Sequence, residues 1–317
     1  MKTRLKAPTL IATCLFALTS CSPQPDNSEI VTAADSGSIP SGQFRLNYRI
    51  EGTGAAAIVI GFPNYYARVF SEDLRSHLRL IFVDHRGSAA SPGSVDTAEF
   101  ALERIVDDLE LVRETLGLGR IVVIGHSGHA FMALEYAKKY PANVSHVVMI
   151  GIAPDFSASS QQVAQQNWLR LASPERKSAL EENQRKITDD QLAQLPPGER
   201  WIKSYVRNGP RAWYDPHFDS TPLWEDVEVN MEMFNYVWGE LFSDIDVTRG
   251  LENFDRPVFM ALGRYDFLVA PPSSWEPIKD SFNDLALRIF EESGHTPQYE
   301  EPELFGRELL AWMKAHE

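Results

Sequence analysis

The stretch that decides the fold is residues 121–140, IVVIGHSGHAFMALEYAKKY. Four β-branched residues at 121–124 favour a strand, and the residues at 130–137 favour a helix. Only Gly125-His126-Ser127-Gly128-His129 lies between them. Three interpretations are open at this point: the turn serves packing, it binds an anion at the helix N-terminus, or it projects the Ser127 hydroxyl into a site.

Strands and helices alternate on both sides of this turn. Apolar or alternating runs predict strands, and periodic segments that end at Gly or Pro predict helices. The predicted strands are 44–50, 55–60, 80–83, 121–124, 144–150, 258–262 and 285–290, and the predicted helices are 97–118, 129–140 and 302–316. This alternation predicts the α/β class, with a mostly parallel sheet and helices on both faces.

Residues 155–250 interrupt the alternation. They are helical in pattern, polar and aromatic, and they hold five of the seven Trp residues. An insertion of this kind between two late strands of a parallel sheet predicts a helical lid. The predicted core is therefore 43–154 together with 251–317, and the predicted lid is 155–250.

The N-terminus resembles a bacterial lipoprotein signal. Lys2, Arg4 and Lys6 precede the short apolar segment 7–17, and Leu18-Thr19-Ser20-Cys21 resembles a lipobox. We expect a signal peptide at 1–20, a lipid on Cys21 and a Ser/Pro/Gly-rich tether at 21–42. The chain would then be anchored in the cell envelope of a bacterium, on the extracytoplasmic side. An ordinary secretory signal cleaved nearby is the alternative.

Charge and cysteine content exclude several classes of function. The formal net charge is −14, so phosphate backbones are repelled and we expect no nucleic-acid partner. The chain has two cysteines. If Cys14 leaves with the signal peptide, no structural disulfide remains, and no Cys/His spacing typical of a zinc site occurs.

The turn at Ser127 resembles the G-x-S-x-G nucleophile elbow of the α/β-hydrolase family, with His129 in place of the last glycine. The resemblance covers about residues 43–316. It implies that Ser127 is a nucleophile and that the N–H of Gly128 is an oxyanion donor. Gly61-Phe62-Pro63 resembles the family's His-Gly-x-Pro segment, with Ile60 in place of His, which implies that the N–H of Phe62 is the second donor.

A serine nucleophile needs a base and a group that orients the base. In this family the acid follows the serine in the chain and the histidine follows the acid. Asp266 follows the 258–262 strand and His295 follows the 285–290 strand. Taken singly, Asp266 could be a turn cap, His295 a loop residue and Ser127 a helix cap. Taken together, they predict a catalytic triad.

A narrower resemblance is to prolyl aminopeptidases. It rests on Val83-Asp84-His85-Arg86-Gly87-Ser88-Ala89-Ala90-Ser91, which resembles their Asp-Gln-Arg-Gly-x-Gly-x-Ser segment, and on the position of the lid. It implies lid carboxylates that hold a substrate ammonium. Glu228 and Glu232 are the candidates, on one face of a helix beside an apolar stripe of Val227, Met231, Phe234 and Trp238. The alternative is a solvated acidic face.

We therefore expect a serine hydrolase that cleaves a small ester or amide, including short peptides, through an acyl-enzyme. The resemblance implies no cofactor and no metal. A prolyl-type aminopeptidase is favoured, with an esterase or a carbon–carbon bond hydrolase as alternatives. The rival from another class is a non-catalytic binding lipoprotein that has kept the fold. The sequence leaves the oligomeric state open.

Overall fold

The computed structural model describes residues 35–88 and 95–317. Within these ranges eight strands form one sheet, in the spatial order β1-β2-β4-β3-β5-β6-β7-β8. The strands are β1 (Asp35–Ser41), β2 (Phe44–Glu51), β3 (Ala55–Ile60), β4 (Leu78–Val83), β5 (Ile121–His126), β6 (Val144–Ile150), β7 (Val258–Gly263) and β8 (Leu285–Phe290).

Twelve α-helices lie in the described ranges, ten of them between strands from β3 onward and two after β8. They are α1 (Pro63–Val69), α2 (Glu72–Arg75), α3 (Leu102–Thr115), α4 (His129–Lys139), α5 (Ala158–Leu171), α6 (Pro174–Lys186), α7 (Asp189–Ala193), α8 (Pro197–Arg207), α9 (Gly209–Ala212), α10 (Met231–Tyr236), α11 (Pro297–Glu300) and α12 (Pro302–Ala315). The predicted helix at 97–118 is a 3₁₀ turn followed by α3.

The sheet is mostly parallel, as predicted. The six strands β3 to β8 all pair in parallel. Strand β2 is antiparallel to β4, and β1 is antiparallel to β2. Alternate residues of β5 enter different cores: Ile121 and Val123 pack in one, and Val122 and Ile124 in the other. Burial on both faces explains why the central strands are continuous apolar runs.

Strand β1 corrects the predicted tether at 21–42, because residues 35–41 are part of the sheet. The segment pairs along its whole length with β2 and contributes one buried side chain, Ile39. An edge strand needs few apolar side chains and tolerates Pro40, so its composition is that of a loop.

Residues 151–257, all of them described, contain α5 to α10 and no strand. The helical insertion between β6 and β7 is therefore present, as predicted. The predicted signal peptide and the lipidation at Cys21 lie outside the described residues. In the ranges that are described, no helix is long and apolar enough to cross a membrane.

Candidate active site

Ser127 lies in the two-residue turn between β5 and α4. Its φ is +55°, a left-handed conformation that is rare for residues other than glycine. Its N–H donates to the carbonyl of Ile150 at 2.8 Å. A Cβ atom on Gly125 would overlap the carbonyl oxygen of His129, so the turn requires glycine at 125. The strained turn is the geometry expected of a nucleophile elbow, even with His129 in the last position.

Asp266 and His295 follow β7 and β8 at the same edge of the sheet. His295 Nδ1 lies 2.7 Å from Asp266 Oδ2, and both side chains are buried. The other carboxylate oxygen of Asp266 accepts from the N–H of Leu268 at 2.9 Å. Ser127 and His295 line one cavity. The structure thus brings together the three predicted triad positions, because the carboxyl ends of parallel strands share one edge.

Phe62 leaves the end of β3 and lines the same cavity. It precedes α1 as the N-cap residue, and Gly128 occupies the same position before α4. Both predicted oxyanion donors therefore lie at helix N-termini, where N–H groups have no partner within the helix. Gly61, just before Phe62, has φ +123°. No L-residue with a side chain adopts that conformation readily.

A buried hydrogen-bond network lies behind the turn. His126 Nε2 donates to the carbonyl of His295 at 2.8 Å, which leaves its Nδ1 to face the Tyr66 hydroxyl at 3.3 Å. The same hydroxyl lies 3.0 Å from His129 Nδ1. Burial holds the pKa values of His126 and His129 well below the usual range, so both rings are neutral. The sequence pattern carries no signal for this network, because Tyr66 and His129 lie 63 residues apart.

The cavity has a volume of about 570 Å³ and is lined mainly by aromatic side chains. Phe62 and Tyr65 contact Trp224, and Trp224 and Phe234 contact Trp201. Its polar lining residues are Ser127, three histidines, three tyrosines, Gln161, Gln165 and Arg211. No Asp or Glu is among the described residues that line it. The sequence predicted an aromatic lid, but the local pattern had no signal for Arg211.

Glu228 and Glu232 do not share a helix face, which corrects the prediction. Helix α10 begins at Met231, because the side chain of Asn230 caps it by accepting from the N–H of Glu232 at 3.1 Å. Asp226, at φ +56°, marks the turn before it. Both glutamates are exposed. Glu228 lines a second cavity with Asp84, and Glu232 lines neither this cavity nor the one at Ser127.

The described part of the segment that resembles prolyl aminopeptidases, residues 83–88, supports the sheet. Arg86 forms a two-bond ion pair with Asp108 of α3, with both distances 2.7 Å and both side chains buried. The Ser41 hydroxyl donates to the same carboxylate at 2.5 Å, which joins β1 to this pair. Within the described ranges, no group of three or more His, Cys, Asp or Glu residues is placed to hold a metal ion.

Residues 57–302 match the family model for the alpha/beta hydrolase fold. The chain belongs to the α/β-hydrolase family. This α/β-hydrolase is 37% identical to the AB hydrolase superfamily protein YclE of Bacillus subtilis, over 85% of this chain and 95% of that protein. It is 26% identical to a proline iminopeptidase of Heyndrickxia coagulans, over 80% of this chain and 88% of that protein.

A solved structure, the proline iminopeptidase of Mycobacterium smegmatis, shares the fold. The TM-score is 0.67 at 18% identity, and the match covers 89% of this chain and 98% of that one. The predicted family is confirmed: the chain is an α/β-hydrolase and is similar to prolyl aminopeptidases. The family and these relatives support the prediction that it is a hydrolase.

Proposed function

We propose that this protein is a serine hydrolase that cleaves a small ester or amide through an acyl-enzyme. The observation that carries the proposal is the position of Ser127. It lies on a strained strand-to-helix turn and lines the same cavity as His295. His295 is in turn hydrogen-bonded to Asp266. A serine used only for packing or capping requires neither the positive φ nor this neighbour.

The proposed reaction has two halves. His295 takes the proton of the Ser127 hydroxyl, and the oxygen attacks the substrate carbonyl carbon. The N–H groups of Phe62 and Gly128 stabilise the oxyanion, and Asp266 stabilises the imidazolium. His295 then protonates the leaving alcohol or amine as its bond to the carbonyl carbon breaks. Water, deprotonated by His295, cleaves the acyl-enzyme and releases the acid, and the proton returns to Ser127.

The cavity supports a small and partly apolar substrate. Its volume of about 570 Å³ lies within the usual range for small-molecule sites, and half of the described residues that line it are Phe, Tyr or Trp. Such a wall suits an acyl or leaving group with an apolar body. A carbon–carbon bond hydrolase would use the same serine, and it stays an alternative within this proposal.

A prolyl-type aminopeptidase is the second candidate, supported by the proline iminopeptidase relative at 26% identity. Such an enzyme must bind a free ammonium, and the described wall of the cavity offers no carboxylate for it. Glu228 and Glu232 are therefore tested together. If they bind the ammonium, Glu228→Gln with Glu232→Gln lowers turnover of a proline arylamide far more than turnover of a neutral ester. Equal turnover ratios in the wild type and the double variant would reject this role.

The central test uses the full chain and two chromogenic substrates, a proline arylamide with a free amine and a short acyl ester. The Ser127→Ala variant is the control, and a fluorophosphonate probe reports an activated serine. We expect turnover and labelling in the wild type and neither in the variant. A wild-type chain that neither labels nor turns over either substrate would instead fit a non-catalytic binding protein.

We also propose, from the sequence alone, that Cys21 carries lipid and anchors the enzyme in the bacterial cell envelope. Labelled palmitate fed to a bacterial host should then appear on the wild-type chain and not on a Cys21→Ser variant. Label retained in Cys21→Ser, or absent from the wild type, would contradict the anchor.

A further inference from the structure

Among the described residues that line the cavity at Ser127, Arg211 is the one Lys or Arg. It lies on the short helix α9, and its Cζ is 4.7 Å from the ring centroid of Trp168. Its Nη2 donates to Gln165 Oε1 at 2.7 Å. Gln165 lines the same cavity, as does Phe267, which packs against Trp168 with ring centroids 5.4 Å apart. The guanidinium thus has a fixed position beside Ser127's cavity.

Arg211 has no counter-ion among the described residues, since no carboxylate oxygen lies within 4.0 Å of its guanidinium. Half-burial lowers the pKa of Arg211, but an arginine remains charged in a protein. The chain has 44 Asp and Glu residues, so carboxylates are abundant elsewhere. A partly desolvated cation that has no counter-ion in a cavity wall is suited to an anion that arrives with the substrate.

The backbone around Arg211 is held in place. The buried Arg176 donates to the carbonyls of Pro210 and Trp213, at 2.7 and 2.5 Å. The carbonyl of Arg211 itself accepts from the N–H of Phe267, the residue after Asp266, at 2.9 Å. The guanidinium is therefore preorganised relative to the acid of the triad, which reduces the entropy lost when a ligand binds.

We propose that Arg211 and Gln165 form a carboxylate-binding subsite, so that the substrate class is an ester or amide that carries a carboxylate and an apolar body. This inference rests on the proposed serine hydrolase activity. The planar guanidinium matches a carboxylate with two parallel N–H groups, and the Gln165 amide N–H₂ offers a further donor. The aromatic wall of the cavity binds the apolar body.

Binding tests the subsite without turnover. Quenching of Trp fluorescence is used to measure the affinity of two uncleavable probes, 4-phenylbutyrate and its neutral amide. We expect the wild type to bind the acid at least about tenfold more tightly than the amide, and Arg211→Gln to lose that preference. Arg211→Lys keeps the charge but not the planar fork, so it should retain part of the preference. Arg170→Gln, at an exposed arginine of α5, is the matched control and should behave as the wild type.

Turnover then shows which part of the substrate carries the carboxylate. One pair is the mono-4-nitrophenyl ester of adipic acid and its methyl ester, with the charge on the acyl part. The other pair is 4-carboxyphenyl butyrate and 4-carbamoylphenyl butyrate, with the charge on the leaving part. The pair whose acid-to-neutral ratio of kcat/KM falls about tenfold or more in Arg211→Gln identifies the part.

The outcomes separate the two proposals. Equal binding of the acid and the amide by the wild type, or a preference that survives in Arg211→Gln, overturns the subsite. An Arg211-independent ratio in both substrate pairs overturns its role in substrate choice. Absence of fluorophosphonate labelling and of all turnover, with the binding preference intact, overturns the hydrolase proposal and leaves the subsite.

Discussion

The imidazole ring of His129 packs against Gly61, so closely that a Cβ atom on residue 61 would lie 2.9 Å from its Nε2. The histidine that replaces the last glycine of the elbow is thus a support for the loop that carries Phe62. The loop has isoleucine at position 60 where the family has histidine. The loop thus lacks an imidazole at position 60, but the imidazole of His129, on the neighbouring elbow, packs against the backbone of the same loop at Gly61.

Gly61→Ala should therefore damage catalysis more than binding. The added methyl group would collide with His129 and Tyr66, and alanine at φ +123° is strained, so the Phe62 N–H would move. Loss of one oxyanion donor lowers kcat by about 10²–10³-fold. We expect a fall of that order in kcat, with a smaller change in KM, in steady-state ester hydrolysis.

Gly119→Ala is the matched control, because a Cβ atom there meets no atom within 4 Å. It should leave kcat and KM unchanged. A Gly61→Ala enzyme with wild-type kcat would show that the Phe62 N–H is not part of the oxyanion site.

Asp266→Asn should abolish most activity without unfolding the protein. Asn can still accept from the N–H of Leu268, but it no longer presents a carboxylate to Nδ1 of His295. The same change in a Ser-His-Asp triad lowers kcat by about 10⁴-fold. The measurement is kcat together with the melting temperature, and exposed Asp280→Asn is the control. Activity within tenfold of the wild type would remove Asp266 from the triad.

Asp108→Ala should lower stability strongly, because it leaves the Arg86 guanidinium buried without its partner. Breaking a buried pair on one side costs about 3–5 kcal/mol. The neighbouring Asp107 pairs with Lys139 at the surface, so Asp107→Ala should cost only about 0–1 kcal/mol. Urea unfolding of both variants measures the difference. Equal losses of unfolding free energy in the two variants would mean that the buried Arg86–Asp108 pair contributes no more to stability than the surface pair.

Glu300 should make stability depend on pH. Burial raises its pKa to about 7, although N–H groups of Tyr214, Gly294 and Thr296 favour the charged form. In the unfolded chain the carboxyl titrates near 4.5. The folded state therefore holds an extra proton between about pH 4.5 and 7, and the free energy of unfolding falls as pH rises through that window.

Glu300→Gln removes this proton, so its unfolding free energy should vary less between pH 5 and 7 than that of the wild type. Denaturant unfolding at several pH values measures the two slopes. Glu303→Gln, at an exposed site on α12, should keep the wild-type slope. Identical slopes in the wild type and Glu300→Gln would show that Glu300 does not titrate in this range.

Most of the sheet was predictable because its central strands are buried on both faces. A continuous apolar run such as Ala55–Ile60 leaves few alternatives to a strand in an alternating chain. β1 was not predictable, since an edge strand pairs through its backbone and its side chains carry little signal. The break before α10 was missed because apolar spacing through Val227 fits a helix, whereas the Asn230 cap starts it later.

The candidate site divides in the same way. Topology places Asp266 and His295 at the ends of parallel strands, so the order of the chain was enough to select them. Tyr66 and His129 are 63 residues apart, and Arg211 and Gln165 are 46 apart. Contacts over such separations depend on how loops and insertion fold back over the sheet edge. Local residue spacing does not predict such contacts. The polar residues of the cavity, Gln165 and Arg211 among them, could therefore not be predicted from the sequence.

The carbonyls of Arg211 and Ala212 accept from the N–H groups of Phe267 and His295, at 2.9 and 2.5 Å. One stretch of the insertion is thus fastened to the loop of the acid and to the loop of the base. Swinging the whole insertion aside to admit substrate would pull on both loops and separate His295 from Asp266, the pair proposed to activate Ser127. The insertion is therefore held in place at α9. Substrate entry disturbs the structure least at those parts of the insertion that are not hydrogen-bonded to the loops of Asp266 and His295.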